Sequence, residues 1–102
     1  MPVRARLTPR AEREFHEALR WIAAERPSAA RSLREATNAL ARLIAEHPMI
    51  GTTRLDYAPA PYRFAVVRGF PYLLVYDPTS QPPTIHRFVH GARDLPEVLK
   101  DL

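Results

Sequence analysis

Residues 62–77 read YRFAVVRGFPYLLVYD. Two runs rich in β-branched and aromatic side chains flank the turn signal Arg68–Pro71, which predicts a β-hairpin. A third run, TIHRFVH at residues 84–90, lacks helical spacing and reads as another strand, broken by Gly91. SQPPT between them is a turn. The chain closes on Asp94–Leu102, where a capping aspartate precedes Leu95, Val98, Leu99 and Leu102 at helical spacing, so a short terminal helix is expected.

Upstream of the hairpin, Val3–Leu7 alternates apolar or small residues with arginine, the period of a half-buried strand. Thr8 offers a hydroxyl cap, Pro9 suits a first helical position, and Glu12 and Glu14 complement the positive helix end. Ala11, Phe15, Ala18, Leu19, Ile22 and Ala23 then form one apolar stripe. Pro27 interrupts and Ser28 is the expected cap of a second helix, running from Ala29 to about Glu46 and ended by Pro48. Its apolar set is Leu33, Ala36, Leu40, Leu43 and Ile44. Two amphipathic helices joined so tightly should form an antiparallel hairpin. Residues 48–61, PMIGTTRLDYAPAP, show neither period and read as a connecting loop.

The order β-α-α-β-β-β-α describes a two-layer α+β domain, with a helical hairpin packed on a mostly antiparallel sheet. At 102 residues the whole chain, 1–102, is expected to be one domain, burying roughly two-thirds of its unfolded surface. Cysteine is absent, so disulfides and thiolate metal sites are excluded. The N-terminus has no apolar run of signal-peptide length and no stretch is long and apolar enough to span a bilayer, so a cytoplasmic protein without membrane attachment is expected.

Glycine occurs only at positions 51, 69 and 91. A phosphate-binding Walker loop, a dinucleotide fingerprint and a serine nucleophile elbow are therefore all impossible, and no cofactor is expected. A metal is not expected either. His86 and His90 would sit about 13 Å apart on a regular strand, too far to share one ion, and His16 and His47 have no ligand partners nearby.

The formal charge is +4 and the isoelectric point near 10.1, which suits an acidic partner. Within residues 62–93, Arg63, Arg68, Arg87 and Arg93 face a single carboxylate, Asp77. With His90 these arginines have the chemistry for metal-independent RNA cleavage, if the sheet gathers them on one concave face. The plainer account is that strand arginines are solvated edges or ion pairs. In RFVHGARD, residues 87–94, Phe88 then packs, Gly91 permits the turn, Asp94 caps the last helix, Arg93 pairs with a carboxylate and His90 bonds a loop carbonyl. The aromatics Tyr57, Tyr62, Phe64, Phe70, Tyr72, Tyr76 and Phe88 read as core and sheet surface rather than a base-stacking platform. Trp21 is either core or an interface anchor.

YRFAVVRGFPYLLVYD followed by IHRFVHGARD, with LTPRAEREFHEALRWI and the helix-ending HPMIG before them, resembles the ParE branch of the ParE/RelE toxin superfamily over nearly the whole chain. The resemblance implies a bacterial type II toxin that inhibits DNA gyrase and has no catalytic residues. It implies neutralisation by a ParD-like or similar small DNA-binding antitoxin in a hetero-oligomer, so that operator DNA is reached only through the antitoxin. Candidate target- or antitoxin-binding residues are Arg63, Arg68, Arg87, His90, Arg93 and Trp21. RelE-like relatives instead cut messenger RNA on the ribosome, and in that alternative Arg63, Arg87 and His90 would be catalytic. Such sites carry lysines and a late tyrosine or histidine, whereas Lys100 is the one lysine here and no tyrosine follows Tyr76. An inactive homologue that only binds antitoxin is the third reading.

Overall fold

The computed structural model describes residues 3–102. Its elements are β1 (Arg6–Leu7), α1 (Pro9–Ala23), α2 (Pro27–Glu46), β2 (Arg63–Val66), β3 (Tyr72–Asp77), β4 (Thr84–His90) and α3 (Leu95–Val98). The sheet order is β1-β4-β3-β2. β2, β3 and β4 are antiparallel neighbours, while β1 runs parallel to β4.

Thr8 fixes the start of α1 as its hydroxyl chemistry requires. Its Oγ1 accepts the Ala11 amide at 3.1 Å and donates to the His86 carbonyl at 3.2 Å, tying the helix end to β4. Ser28 does no such work. Pro27 is itself the first residue of α2, its missing N–H needing no acceptor there, and Arg26 at the cap position provides no side-chain bond. The first strand is shorter than its alternation suggests. Only Arg6–Leu7 pair with Thr84–Ile85, because the Ala5 amide turns instead to the Ala41 carbonyl at 2.8 Å. The terminal helix also stops early, at Val98, and the Asp94 side chain makes no capping bond.

The hairpin of α1 and α2 covers one face of the sheet. Ala11, Phe15, Ala18 and Leu19 from α1 and Leu33, Ala41 and Ile44 from α2 meet Leu74, Tyr76, Ile85 and Phe88. The opposite face is covered too, by a smaller cluster. There Phe64, Val75 and Val89 lie under Ala58, Leu95 and Leu99, flanked by Tyr57, Tyr62 and Val98. The loop after α2 and the C-terminal segment thus close the face on which a cationic site would have to open.

The apolar stripe of α2 divides in two. Leu33, Thr37, Ala41 and Ile44 are buried, whereas Ala36 and Leu40 are only half-buried and Leu43 is exposed. Positions 36, 40 and 43 share a face at helical spacing. That face lies at the margin of the core, with Ala36 and Leu40 packed against it on one side and lining a groove beside β2 on the other.

Candidate functional site: an apolar groove at the sheet edge

A groove of about 670 Å³ runs between α2 and β2. One wall is Ala36, Leu40 and Leu43 of α2; the other is Phe64, Ala65 and Val66 of β2, with Ile50 and Thr52 along the floor and Arg68 at one end. Its lining is apolar apart from that arginine, Thr52 and the loop backbone. Large unpartnered apolar surface costs free energy in water, and on a small domain it marks a place where another molecule packs.

β2 lies at the edge of the sheet. On its outer side Phe64 exchanges backbone hydrogen bonds with Thr52, at 2.8 and 3.0 Å. The ladder alternates, so Val66 turns its amide and carbonyl the same way, and among the described residues nothing pairs with them there. Val66 is 65% exposed. An edge strand left open beside an apolar groove is the usual acceptor for an added strand or an amphipathic segment.

The loop forming the groove floor is held from below. The Tyr76 hydroxyl accepts the Gly51 amide at 2.8 Å and donates to the Pro48 carbonyl at 2.6 Å. Arg63 Nη1 donates to the carbonyls of Gly51 at 2.6 Å and Met49 at 3.3 Å. Position 51 admits only glycine, since an added Cβ would stand 2.8 Å from the Tyr76 ring and 2.9 Å from the Phe64 carbonyl. Burial raises the Tyr76 hydroxyl above its ordinary value of 10.0, with the Gly51 amide and Arg63 opposing. A group protonated more firmly in the folded state supports folding below its unfolded value and loses that support as pH rises through the folded one. Stability should therefore fall above about pH 10, and Tyr76→Phe should remove that part of the slope while costing about 1–3 kcal/mol at neutral pH for the two groups it orphans. Denaturant titrations at pH 7 and at alkaline pH measure both effects; equal alkaline slopes for parent and variant would contradict the assignment.

The cations expected to share one surface are in three places. Arg87 is buried, 3% exposed. Its Nε and Nη2 clasp the Glu14 carboxylate at 2.8–3.1 Å, and Nη1 donates to the Val98 carbonyl at 2.7 Å. It is removed from any binding surface, which corrects its place among the candidates. Arg63 is committed to the groove floor. His90 lies at the far end of β4, opposite Tyr72, while Arg63 opposes Tyr76 two strands away; the offset along the strands alone is about 13 Å. Arg63, Arg87 and His90 do not form a cluster.

His90 takes the Ala92 amide on Nδ1 at 3.0 Å rather than donating to a loop carbonyl. Arg93 is exposed, and no carboxylate pairs with it among the described residues. Trp21, 79% exposed, is not part of the core. β4 carries a bulge: the partners of Val75 and Tyr76 jump from Arg87 to Ile85, leaving His86 between them. His86 consequently packs edge-on against Tyr62 on one face and His90 against Tyr72 on the other. No group of three metal-ligating side chains occurs among the described residues, and no helix there is long and apolar enough to cross a membrane.

A helical hairpin on a four-stranded mixed sheet, with an apolar groove beside an open edge strand, defines a small two-layer α+β domain. The family described as the ParE toxin of the type II toxin-antitoxin system, parDE, matches residues 5–95, and the chain belongs to that family. A solved structure described as the chromosomal ParDE TA system from P. aeruginosa shares the fold, with a TM-score of 0.72 at 12% identity, over 87% of this chain and 96% of that one. Among curated proteins no sequence matches.

Proposed function

We propose that this ParE-family toxin is neutralised by an antitoxin segment seated in the groove between α2 and β2, and that its target is DNA gyrase. The observation that carries the first part is the partly exposed apolar stripe Ala36, Leu40 and Leu43 lining the groove beside the open edge of β2. A disordered amphipathic tail gains there by burying apolar side chains and satisfying the Val66 backbone as it folds, and an acidic residue beside Arg68 fits the net charge of +4. The partner is a ParD-like or similar small DNA-binding protein, and the toxin reaches operator DNA through it. Both act in the cytoplasm.

What favours gyrase over messenger RNA is the dispersal of Arg63, Arg87 and His90. RNA cleavage needs cations and a proton-transfer group within reach of one phosphate, and these three residues cannot meet there. Purified gyrase with added toxin should lose supercoiling activity and accumulate trapped DNA breaks. Undiminished supercoiling with no trapped breaks, alongside growth arrest in cells, would remove gyrase as the target.

A further inference from the structure

Trp21 is the chain's one tryptophan, and its exposure is not explained by the groove, whose lining does not include it. It lines a separate cleft of about 290 Å³ between α1 and the C-terminal end of β4. Glu17, four residues earlier on the same helix, stands beside it, and Tyr72, His90 and Arg93 form the opposite side. The rings opposite are held in place. Tyr72 stacks on Phe88 with centroids 4.9 Å apart, and His90 meets Tyr72 edge-on at 5.3 Å. Tyr72 is thus core on one side, as its sequence context suggests, and cleft on the other.

The polar groups left over have a definite pattern. Because His90 Nδ1 accepts the Ala92 amide, its ring proton sits on Nε2. The Trp21 indole, the Tyr72 hydroxyl and the Arg93 guanidinium have no partners among the described residues, and neither has the Glu17 carboxylate. Glu14 also lines the cleft, but Arg87 neutralises it. The cleft therefore offers aromatic faces, several donors including one full positive charge, and one carboxylate.

We propose that this cleft binds one nucleotide unit of a single-stranded nucleic acid. The base stacks on Trp21, Glu17 accepts from its exocyclic amino group, and Arg93 and His90 hold the adjoining phosphate. The volume is at the small end for a ligand site and suits one nucleotide. A single strand is favoured over a duplex, whose stacked and paired bases present no free face to Trp21. Adenine, cytosine and guanine, which carry an exocyclic amino group, are preferred over thymine and uracil. The inference does not depend on gyrase as the target or on the antitoxin groove.

Trp21 makes the test direct. Single-stranded oligonucleotides of about eight nucleotides are titrated into the full chain while its tryptophan fluorescence is followed. An adenine strand should quench it, a thymine strand should bind several-fold more weakly, and an abasic strand should leave it unchanged. With a labelled adenine strand followed by anisotropy, Trp21→Ala and Arg93→Ala should each weaken binding about tenfold. Glu17→Gln should erase the base preference while retaining binding. Circular dichroism confirms that each variant is folded, all three being surface changes. Absence of quenching by any strand, or equal binding of the abasic strand, would overturn the proposal.

Discussion

Replacing Arg87 by alanine is expected to destabilise the protein by about 3 kcal/mol, the low end for breaking a buried ion pair because Glu14 keeps partial exposure. For a domain of this size that lowers the melting temperature by about 10–25 °C. The guanidinium joins three elements: it binds both oxygens of Glu14 on α1, sits on β4, and holds the Val98 carbonyl at the end of α3. Glu14 in turn accepts the Phe88 amide at 3.1 Å, on the stretch of β4 that β1 is too short to pair. Deleting the arginine leaves a carboxylate and a carbonyl without their donor in a largely dry site, and loosens the segment covering Val75 and Val89.

The set of variants separates charge from shape. Arg87→Lys should recover only part of the loss, because an ammonium cannot reproduce the fork. Glu14→Gln should cost less than Arg87→Ala, since it retains an acceptor for the Phe88 amide. Arg87→Met combined with Glu14→Leu should recover much of the stability by removing both charges together. Chemical denaturation of the five proteins ranks these effects, and adding Arg87→Met and Glu14→Leu singly closes the cycle that yields the coupling energy. An Arg87→Ala protein within about 0.5 kcal/mol of the parent would show that the clasp contributes nothing. The same reasoning bears on toxicity: loss of growth arrest in Arg87→Ala is accounted for by lost stability and cellular abundance, so by itself it is no sign of catalysis.

The elements themselves were legible because their determinants are local. Thr8 caps the residue three positions on, and the β-branched and aromatic content of YRFAVV and YLLVYD marks each strand within its own length. The fate of the arginines was not legible, because each depends on a partner remote in sequence. Arg87 looks like Arg63 or Arg93 until Glu14, 73 residues earlier, is brought against it. Gly51 reads as a loop glycine until Tyr76 is placed beneath it. The bulge at His86 breaks the strand period that would have put His86 and His90 on one face. The groove was half legible. Leu40 and Leu43 belong to the apolar stripe of α2, but a stripe does not disclose which part of its arc the sheet is wide enough to cover. Arg68 is the sequence candidate that does reach this groove.

Charging the two groove walls should abolish antitoxin binding without unfolding the toxin. Leu43, 37% exposed, and Val66, 65% exposed, are the residues to change, because substitutions at exposed positions usually move stability by no more than about 0.5 kcal/mol. Leu43→Glu and Val66→Lys each place a charge where an apolar antitoxin side chain would be buried, and together they should weaken the complex at least 100-fold, about 2.7 kcal/mol. Arg68→Glu should act mainly on the association rate and its salt dependence, since it lies at the end of the groove. Val66→Pro tests the mode of docking. Proline is tolerated where an edge strand turns its N–H outward, so the fold should survive, and a loss of affinity comparable with Val66→Lys would mean that the antitoxin adds a strand to β2. Titration calorimetry with the antitoxin reads the affinities, and co-expression gives the cellular counterpart: the double variant should arrest growth whether or not antitoxin is made. Should it bind antitoxin as tightly as the parent, the groove is not the neutralising site, and the open edge of β2 must be blunted by its own exposed side chains instead.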